Sequence, residues 1–388
     1  MGSPIRILTA VPICDGHDSA INTINLEFIR HGIEVVYLGY HRSVGDIVRA
    51  AVQEDVRAIG ISSYNGGHVE FFAEVVDLLR KKSAADIKVF GGGGGTITHE
   101  DAATMRRKGV DEIFFAGTSL EDMVKFAHQR YGKPRGKRAR AKTSDIELAR
   151  MLTEIEDGYA KIKGKTSKTR PAMSKSSTRV IGFTGPGGAG KTTLIDELVL
   201  RFLNKDRQSR VAILSHDPSV IGEGALLGDR ATMINSQNDR VFMRSMATRG
   251  QAGGLSPATQ DCLALLADSD FDYVIIETVG TGQEAMPFRK NGIVDQTVLV
   301  MNPDYGSRLQ LQKIVMLDLA DIVVVNKSDL QRARTAHTEI GQRLEQNRRA
   351  QRLVDTVAKR HRDSGVDKLF GLISASDKSK RGKERKKS

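Results

Sequence analysis

The tetrapeptide Asp15-Gly16-His17-Asp18 follows directly on an apolar run, Ile5–Ile13, that reads as a strand. It sets a carboxylate two residues before an imidazole, in a loop at a strand's carboxyl end. That edge of an open α/β sheet is where ligands bind. A carboxylate beside a histidine can hold one ring nitrogen as donor and leave the other free for a metal. Alone, the tetrapeptide is also a plain Asp-Gly turn with a solvated histidine, and the surrounding sequence decides between the two.

A second constellation is more specific. Gly185-Pro-Gly187-Gly188-Ala-Gly190-Lys191-Thr192 matches GxxxxGK[ST] in full, after the strand-like VIGF and before the helical TTLIDELVLRFL. Glycines let backbone N–H groups curl around phosphate oxygens, and the helix N-terminus, with Thr193 beside Thr192, adds favourable partial charge. Lys191 is expected on the β- and γ-phosphates and the Thr192 hydroxyl on Mg²⁺. Downstream, Asn326-Lys327-Ser328-Asp329 follows the apolar DIVVV and reads as a guanine-selecting box. Asp329 can accept from both N1–H and the exocyclic amine of guanine, a pairing adenine cannot supply, so the site discriminates strongly.

Between them, Glu277-Thr278-Val279-Gly280 stands where a carboxylate serves an Mg²⁺-bound water and a glycine amide meets the γ-phosphate. Asp217 and Asp229 are further candidates for the metal, each readable equally as a turn or cap residue. Lys191, Glu277 and Arg230 are the expected catalytic groups, with Arg230 and Arg249 as charge stabilisers. Gln283 follows the Glu277 element closely, but its reach to an attacking water is open. For the last guanine contact, Ala358 in Thr356-Val-Ala358-Lys359 fits the spacing better than Ser374-Ala375.

These residues need rigid elements behind them. Residues 4–131 alternate strand and helix patterns: strands at Ile5–Val11, Glu34–Leu38, Ala58–Ile61, Ile87–Phe90 and Asp111–Phe115, with helices such as Ser19–Arg30 and Val69–Lys82 between. Five βα units of this spacing predict a doubly wound parallel sheet. A second α/β pattern starts at Arg179, with strands at Val180–Phe183, Val211–Leu214, Tyr273–Ile276, Thr297–Met301 and Ile322–Val325, then a charged helical stretch at Thr335–Gln351. The expected architecture is α/β, two doubly wound parallel-sheet domains, the first flavodoxin-like and the second a P-loop G domain. The divisions fall at 1–132, a basic linker 133–178 with a short helix near Ile146–Tyr159, the second domain 179–375, and a basic tail 376–388.

At 388 residues, with 39% hydrophobic residues, 5% aromatics, no Trp and 38 Gly, the chain suits a Gly-punctuated soluble α/β protein. Residues 133–179 carry 14 Lys/Arg against 5 Asp/Glu, and the tail from Ser376 carries 7 against 2. The net charge of +12 is therefore held in linker and tail, and the rest is close to neutral. With no interleaved aromatics to stack bases, nucleic acid is not the expected partner. No run of 18 apolar residues exists, the start lacks a signal-peptide pattern, and two cysteines, Cys14 and Cys262, make no disulfide framework. No membrane contact and a cytoplasmic setting follow as expectations.

The phosphate loop, ETVGTGQ, ATRGQAGGLSPAT and NKSD together resemble GTPase chaperones of the MeaB/ArgK type. The N-terminal half resembles the cobalamin-binding domain of the methylmalonyl-CoA mutase family, whose pattern is DxHxxG, then SxL, then GG. Here it reads Asp15-Gly-His17-Asp-Ser-Ala20, Ser62-Ser63-Tyr64 and Gly91–Gly95. Ala20 and Tyr64 depart from that pattern and narrow the slot. The order of parts resembles the front half of fused acyl-CoA mutases. The resemblance implies adenosylcobalamin, with His17 as the lower cobalt ligand in place of the dimethylbenzimidazole tail and Asp15 as its hydrogen-bond partner. Ser62, Gly91 and Gly92 would line the slot that takes the displaced tail. It also implies that the segment Asp304–Lys313, with Arg308, Gln312 and Lys313, relays nucleotide state.

Acyl-CoA mutase chemistry runs in a (β/α)₈ barrel of about 250 residues, for which this chain has no room. The expectation is a GTPase that binds adenosylcobalamin but does not isomerise acyl-CoA alone. Three roles remain open: a chaperone and cofactor-carrying subunit of a split mutase, a cobalamin carrier or sensor with a GTPase switch, or a fragment of a fused mutase. The partners expected are an acyl-CoA mutase barrel subunit, an adenosylcobalamin-delivering transferase and further copies of the chain.

Overall fold

The computed structural model describes residues 4–13, 15–16, 19–133, 144–161, 178–220, 222–251, 253–280, 294–305, 316–347 and 349–384. His17, Gln283, Arg308, Gln312 and Lys313 lie outside the described residues, as does Cys14.

The first sheet contains β1 (Arg6–Ala10), β2 (Glu34–Tyr37), β3 (Ala58–Ser62), β4 (Lys88–Gly92) and β5 (Glu112–Phe114), alternating with α1 (Ser19–Arg30), α2 (Val44–Gln53), α3 (His68–Lys81), α4 (His99–Lys108) and α5 (Leu120–Tyr131). Its strands run parallel in the order β5-β4-β3-β1-β2, with β8 (Ala225–Leu227) added beyond β2. That is the expected flavodoxin-like order, and the strand order reverses between β1 and β3, where such sheets open a crevice. Strand sequences such as RILTA are buried along their whole length because helices cover both faces. Local signals fix the helix starts. Ser43 and Asp46 form a reciprocal capping box on α2, and Thr98 and Asp101 form another on α4.

The linker helix is α6 (Ser144–Lys161). It does dock: Leu148, Ala149 and Leu152 are buried in the second domain's core, while Ile146 packs into the first. The second sheet contains β6 (Arg179–Thr184), β7 (Val211–Asp217), β9 (Val241–Ala247), β10 (Tyr273–Glu277), β11 (Gln296–Met301), β12 (Ile322–Val325) and β13 (Arg352–Asp355). It is parallel in the order β13-β12-β11-β6-β10-β7-β9. Helices α7 (Lys191–Lys205), α8 (Thr259–Ala267), α9 (Met316–Leu319), α10 (Ala333–Glu345) and α11 (Ser364–Glu384) accompany it. Strands β9 and β13 and the helix running on through the basic tail to Glu384 go beyond the sequence reading.

One strand crosses the expected domain division. β8 (Ala225–Leu227) belongs to the second domain by sequence, yet it pairs in parallel with β2 and completes the first sheet, Glu34 against Ala225 and Val36 against Leu227. Around this seam lies a buried ionic cluster. Arg6 pairs with Glu34 at 2.8 Å and Glu156 at 3.1 Å, Arg249 with Glu34 at 3.1 Å, Arg244 with Glu156, and Arg230 with Glu54 at 3.1 Å. Burying charges is costly unless each is paired and hydrogen-bonded. Here Glu54 also accepts from the amide and hydroxyl of Ser245, and Gln53 donates to the Val241 carbonyl at 2.8 Å. The seam therefore fixes first domain, linker helix and second domain in one arrangement.

Candidate functional site

The phosphate loop spans the carboxyl end of central strand β6 and the first turn of α7. Gly190 sits at φ +85° as the residue before that helix, and a Cβ there would come 2.5 Å from Asn326 Nδ2, so only glycine fits. Asn326 in turn donates to the Ala189 carbonyl at 2.9 Å, and Lys327 donates to the Gly188 carbonyl at 2.7 Å. The guanine box thus braces the loop that it accompanies. Lys191 is buried and donates to the carbonyls of Gly185 at 3.0 Å and Pro186 at 3.4 Å, which holds its ammonium over the loop. The Gly187 amide donates to the Gly280 carbonyl at 2.7 Å, closing the β10 loop on the phosphate loop. Thr192 and Thr193 follow in the first turn of α7.

Three carboxylates converge beside Thr192. Its hydroxyl donates to Glu277 at 2.9 Å and lies 3.5 Å from Asp229, whose other oxygen accepts from Ser215. Burial, then repulsion from Asp229, pushes the Glu277 carboxyl up to about 8. Asp217 is pushed well above the usual carboxylate range by burial and then by Asp229 and Glu277, and Asp229 is raised chiefly by burial. Asp217 Oδ2 and Glu277 Oε2 are buried with no hydrogen-bond partner. Those orphaned oxygens are what a divalent cation would satisfy. Among the described residues, no three His, Cys, Asp or Glu side chains form a metal cage by themselves.

On the base side, Asn326 Oδ1 accepts from Thr356 Oγ1 at 3.0 Å and from the Ala358 amide at 3.1 Å, bringing the segment after β13 against the box. Ser374 lies within α11, which separates it from this role. Asp329 pairs with Lys359 at 2.6 Å, and that contact holds its carboxyl below the usual range.

Two expected charge stabilisers stand elsewhere. The Arg230 guanidinium is fully buried on Glu54, Gln53 and the Met243 carbonyl, and Arg249 is held by Glu34 and Glu156. Both are committed to the seam between domains, so neither is available as a catalytic cation in this structure. Sequence reasoning also missed Ser215 and His216. Ser215 turns Asp229 towards Thr192, and His216 bridges the Glu277 carbonyl at 2.9 Å and the Thr259 hydroxyl at 2.8 Å. Burial drops the His216 ring to about 4, keeping it neutral with Nδ1 donating. The only signal was their position at a strand's carboxyl end beside Asp217.

At the first sheet's crevice lies a cavity of about 370 Å³ lined by Thr9, Ala20, Ser62, Tyr64, Gly91–Gly94 and residues of α1 and α5. Ser62 and the glycines are brought together as expected, with Ser62 in register against Gly92. The glycines have a reason of their own. A Cβ would stand 2.3 Å from the Ile61 carbonyl at Gly91 and 1.9 Å from the Ser63 carbonyl at Gly93, whereas at Gly95 it meets nothing. Backbone crowding between β3 and β4 demands glycine there before any ligand does. Asp15 is fully buried and accepts from the Tyr64 amide, tying the first strand's loop to the third's. The glycine-lined, largely apolar wall fits a flat, largely apolar ring system.

Phosphate loop, magnesium-type carboxylates and guanine box together define a P-loop GTPase, carried behind a flavodoxin-like ligand-binding domain. The chain belongs to the MeaB family: residues 148–387 match the methylmalonyl-CoA mutase-associated GTPase MeaB, and residues 5–124 match the B12 binding domain. It is similar to the fused isobutyryl-CoA mutases of Cupriavidus metallidurans (38% identical over 96% of this chain), Geobacillus kaustophilus (36% over 94%) and Nocardia farcinica (37% over 95%). The chain spans 36% of the length of each of these relatives.

Proposed function

We propose that this chain is the GTP-hydrolysing, adenosylcobalamin-carrying part of an acyl-CoA mutase of the isobutyryl-CoA or methylmalonyl-CoA type, in which GTP binding and hydrolysis gate cofactor loading. The barrel that isomerises the acyl-CoA lies outside these residues, on a separate subunit or in a longer chain. The observation that carries this reading is the joining, by one buried seam, of a guanine-type phosphate loop to a glycine-walled cavity beside Asp15.

In GTP hydrolysis, Lys191 and the loop amides stabilise charge on the β- and γ-phosphates, where phosphoryl-transfer catalysis mainly resides. Gly185, Gly187, Gly188 and Gly190 let the backbone approach, and Thr192, Glu277, Asp229 and Asp217 would hold Mg²⁺ directly or through water. Asn326, Lys327, Asp329 and Ala358 select guanine. Asp15, Ser62, Gly91 and Gly92 would hold the corrinoid and its tail, and His17 would ligate its cobalt. Adenosylcobalamin supplies the radical chemistry for the barrel, and this chain's residues bind and orient it. A cobalamin-delivering transferase and self-association complete the partners proposed, in a cytoplasmic setting. Among the described residues no helix is long and apolar enough to cross a membrane.

The test is an absorbance titration of adenosylcobalamin with the purified chain, with and without Mg·GTP, beside phosphate release. A shift to the base-off, imidazole-ligated spectrum and hydrolysis abolished by Lys191→Ala are the expected results. No spectral shift at any protein concentration would leave a GTPase without a cobalamin role.

A further inference from the structure

Three consecutive residues of the second domain face three different parts of the molecule. Asp229, Arg230 and Ala231 form one turn of 3₁₀ helix. Asp229 faces Thr192 and Ser215 at the nucleotide site. Arg230 is fully buried and anchored on Glu54 and Gln53 at the end of α2. The Ala231 carbonyl accepts from Arg42 Nη2 at 2.7 Å.

Arg42 stands in the loop that follows β2, and that loop is laced to the one bearing Asp15. The Arg42 amide donates to the Val11 carbonyl at 3.1 Å, the Val11 amide donates to the Gly39 carbonyl at 3.0 Å, and His41 Nδ1 donates to the Ile13 carbonyl at 3.0 Å. The Asp15 amide then donates to the Pro12 carbonyl at 3.0 Å. Just upstream of the turn, β8 is in register with β2 itself. The turn is therefore fixed at both ends to β2 and the loop that follows it, which is laced to the Asp15 loop, with Arg230 as a buried pivot.

We propose that Arg42 is the positioning residue through which nucleotide state at Asp229 sets the affinity of the Asp15 loop for its corrinoid. This rests on the function proposed above and names its regulation. Asp229, beside Thr192 and Glu277, is the group that loading of the nucleotide site would draw inward, and the turn would rotate with it about Arg230. The Ala231 carbonyl would move with the turn, and Arg42 would carry the shift to the backbone of Val11 and, through it, of Asp15. The Arg42 guanidinium reaches the turn through the Ala231 carbonyl, and its buried Nε meets no acceptor among the described residues. Coupling between two binding equilibria is reciprocal. The same residue therefore transmits corrinoid occupancy back to the affinity for Mg²⁺ and nucleotide.

The experiment uses the full chain and measures the adenosylcobalamin Kd by absorbance, without nucleotide and with saturating Mg²⁺ and a non-hydrolysable GTP analogue. The unaltered chain is expected to show a ratio of roughly 5- to 150-fold between the two states. Arg42→Met should bring that ratio within about twofold of one, and the reciprocal effect of cobalamin on analogue affinity should vanish with it. Its analogue affinity measured without cobalamin should stay within about twofold of the unaltered chain. Arg42→Lys, which keeps a cation able to reach the Ala231 carbonyl, should restore part of the ratio. An undiminished ratio in Arg42→Met overturns the proposal, as does a variant that loses cobalamin binding equally in both states. A ratio of one in the unaltered chain, with both ligands bound, removes the gating itself. Absence of cobalamin binding by the unaltered chain instead overturns the function on which the proposal rests.

Discussion

Arg230 and Glu54, from different domains, meet as a fully buried ion pair at 3.1 Å. Removing one partner of such a pair strands the other charge in a low-dielectric interior, at a cost of about 3–5 kcal/mol. Arg230→Met should therefore lower the urea midpoint of the whole chain sharply. The double variant Arg230→Met with Glu54→Gln should recover part of that loss, because the stranded charge is gone. Additive losses in the two variants would mean the pair is not coupled.

The ionic seam also sets an acid limit. Burial alone would raise the Glu156 carboxyl, but Arg6, Arg244 and Arg249 overcome this and hold it at about 2. A depressed carboxyl contributes stability that is present above its unfolded value and lost as pH falls through its folded value. Stability should accordingly drop by about 3 kcal/mol between roughly pH 4.5 and pH 2 on account of this group. Glu156→Gln should flatten that part of the profile in denaturant titrations at stepped pH. An unchanged slope would show that other carboxylates dominate.

Base selection can be inverted at one atom pair. Asp329→Asn replaces an acceptor by a donor, so the match to guanine N1–H and the exocyclic amine is lost. Affinity for GTP should fall by at least about 10²-fold, and xanthosine triphosphate, whose carbonyl accepts where guanine donates, should bind in its place. Competition binding with the two nucleotides checks this. Equal losses for both would place the residue outside the base contact.

The crevice glycines separate packing from ligand binding. Gly93→Ala places a methyl 1.9 Å from the Ser63 carbonyl and should cost about 1–3 kcal/mol of stability even without cofactor. Gly95→Ala meets nothing within 4 Å and should leave the melting temperature of the free protein unchanged. A melting shift in the second variant alone would reverse the assignment.

The sequence made the chemistry legible where residue type and spacing carry it. Lys191, Thr192 and Glu277 come together as expected, and so do Asn326 and Ala358 on the base side. Strand cores such as Ile322–Val325 were legible because parallel strands buried on both faces are continuous apolar runs. What stayed hidden was tertiary. Arg230 and Arg249 look like catalytic cations from their neighbours in sequence, but their carboxylate partners lie at positions 34, 54 and 156, which no local pattern reports. Three-residue β8 is too short for a periodic signal, and its partner strand is remote. His216 is similarly silent, since its neutral ring is a product of burial rather than of spacing.

The pairing of β8 with β2 has a bearing on how the chain is made. A ribosome emits β2 long before it emits Ala225, about 10 to 40 seconds earlier at ordinary elongation speeds. Throughout that interval the first sheet ends in a bare, apolar edge strand, the kind of template that recruits strands from neighbouring chains. Newborn copies on one messenger are thus exposed to one another until the later segment arrives to cover the edge. Cutting the chain between its halves would make that temporary hazard permanent, so the first half expressed alone should be the less soluble of the two.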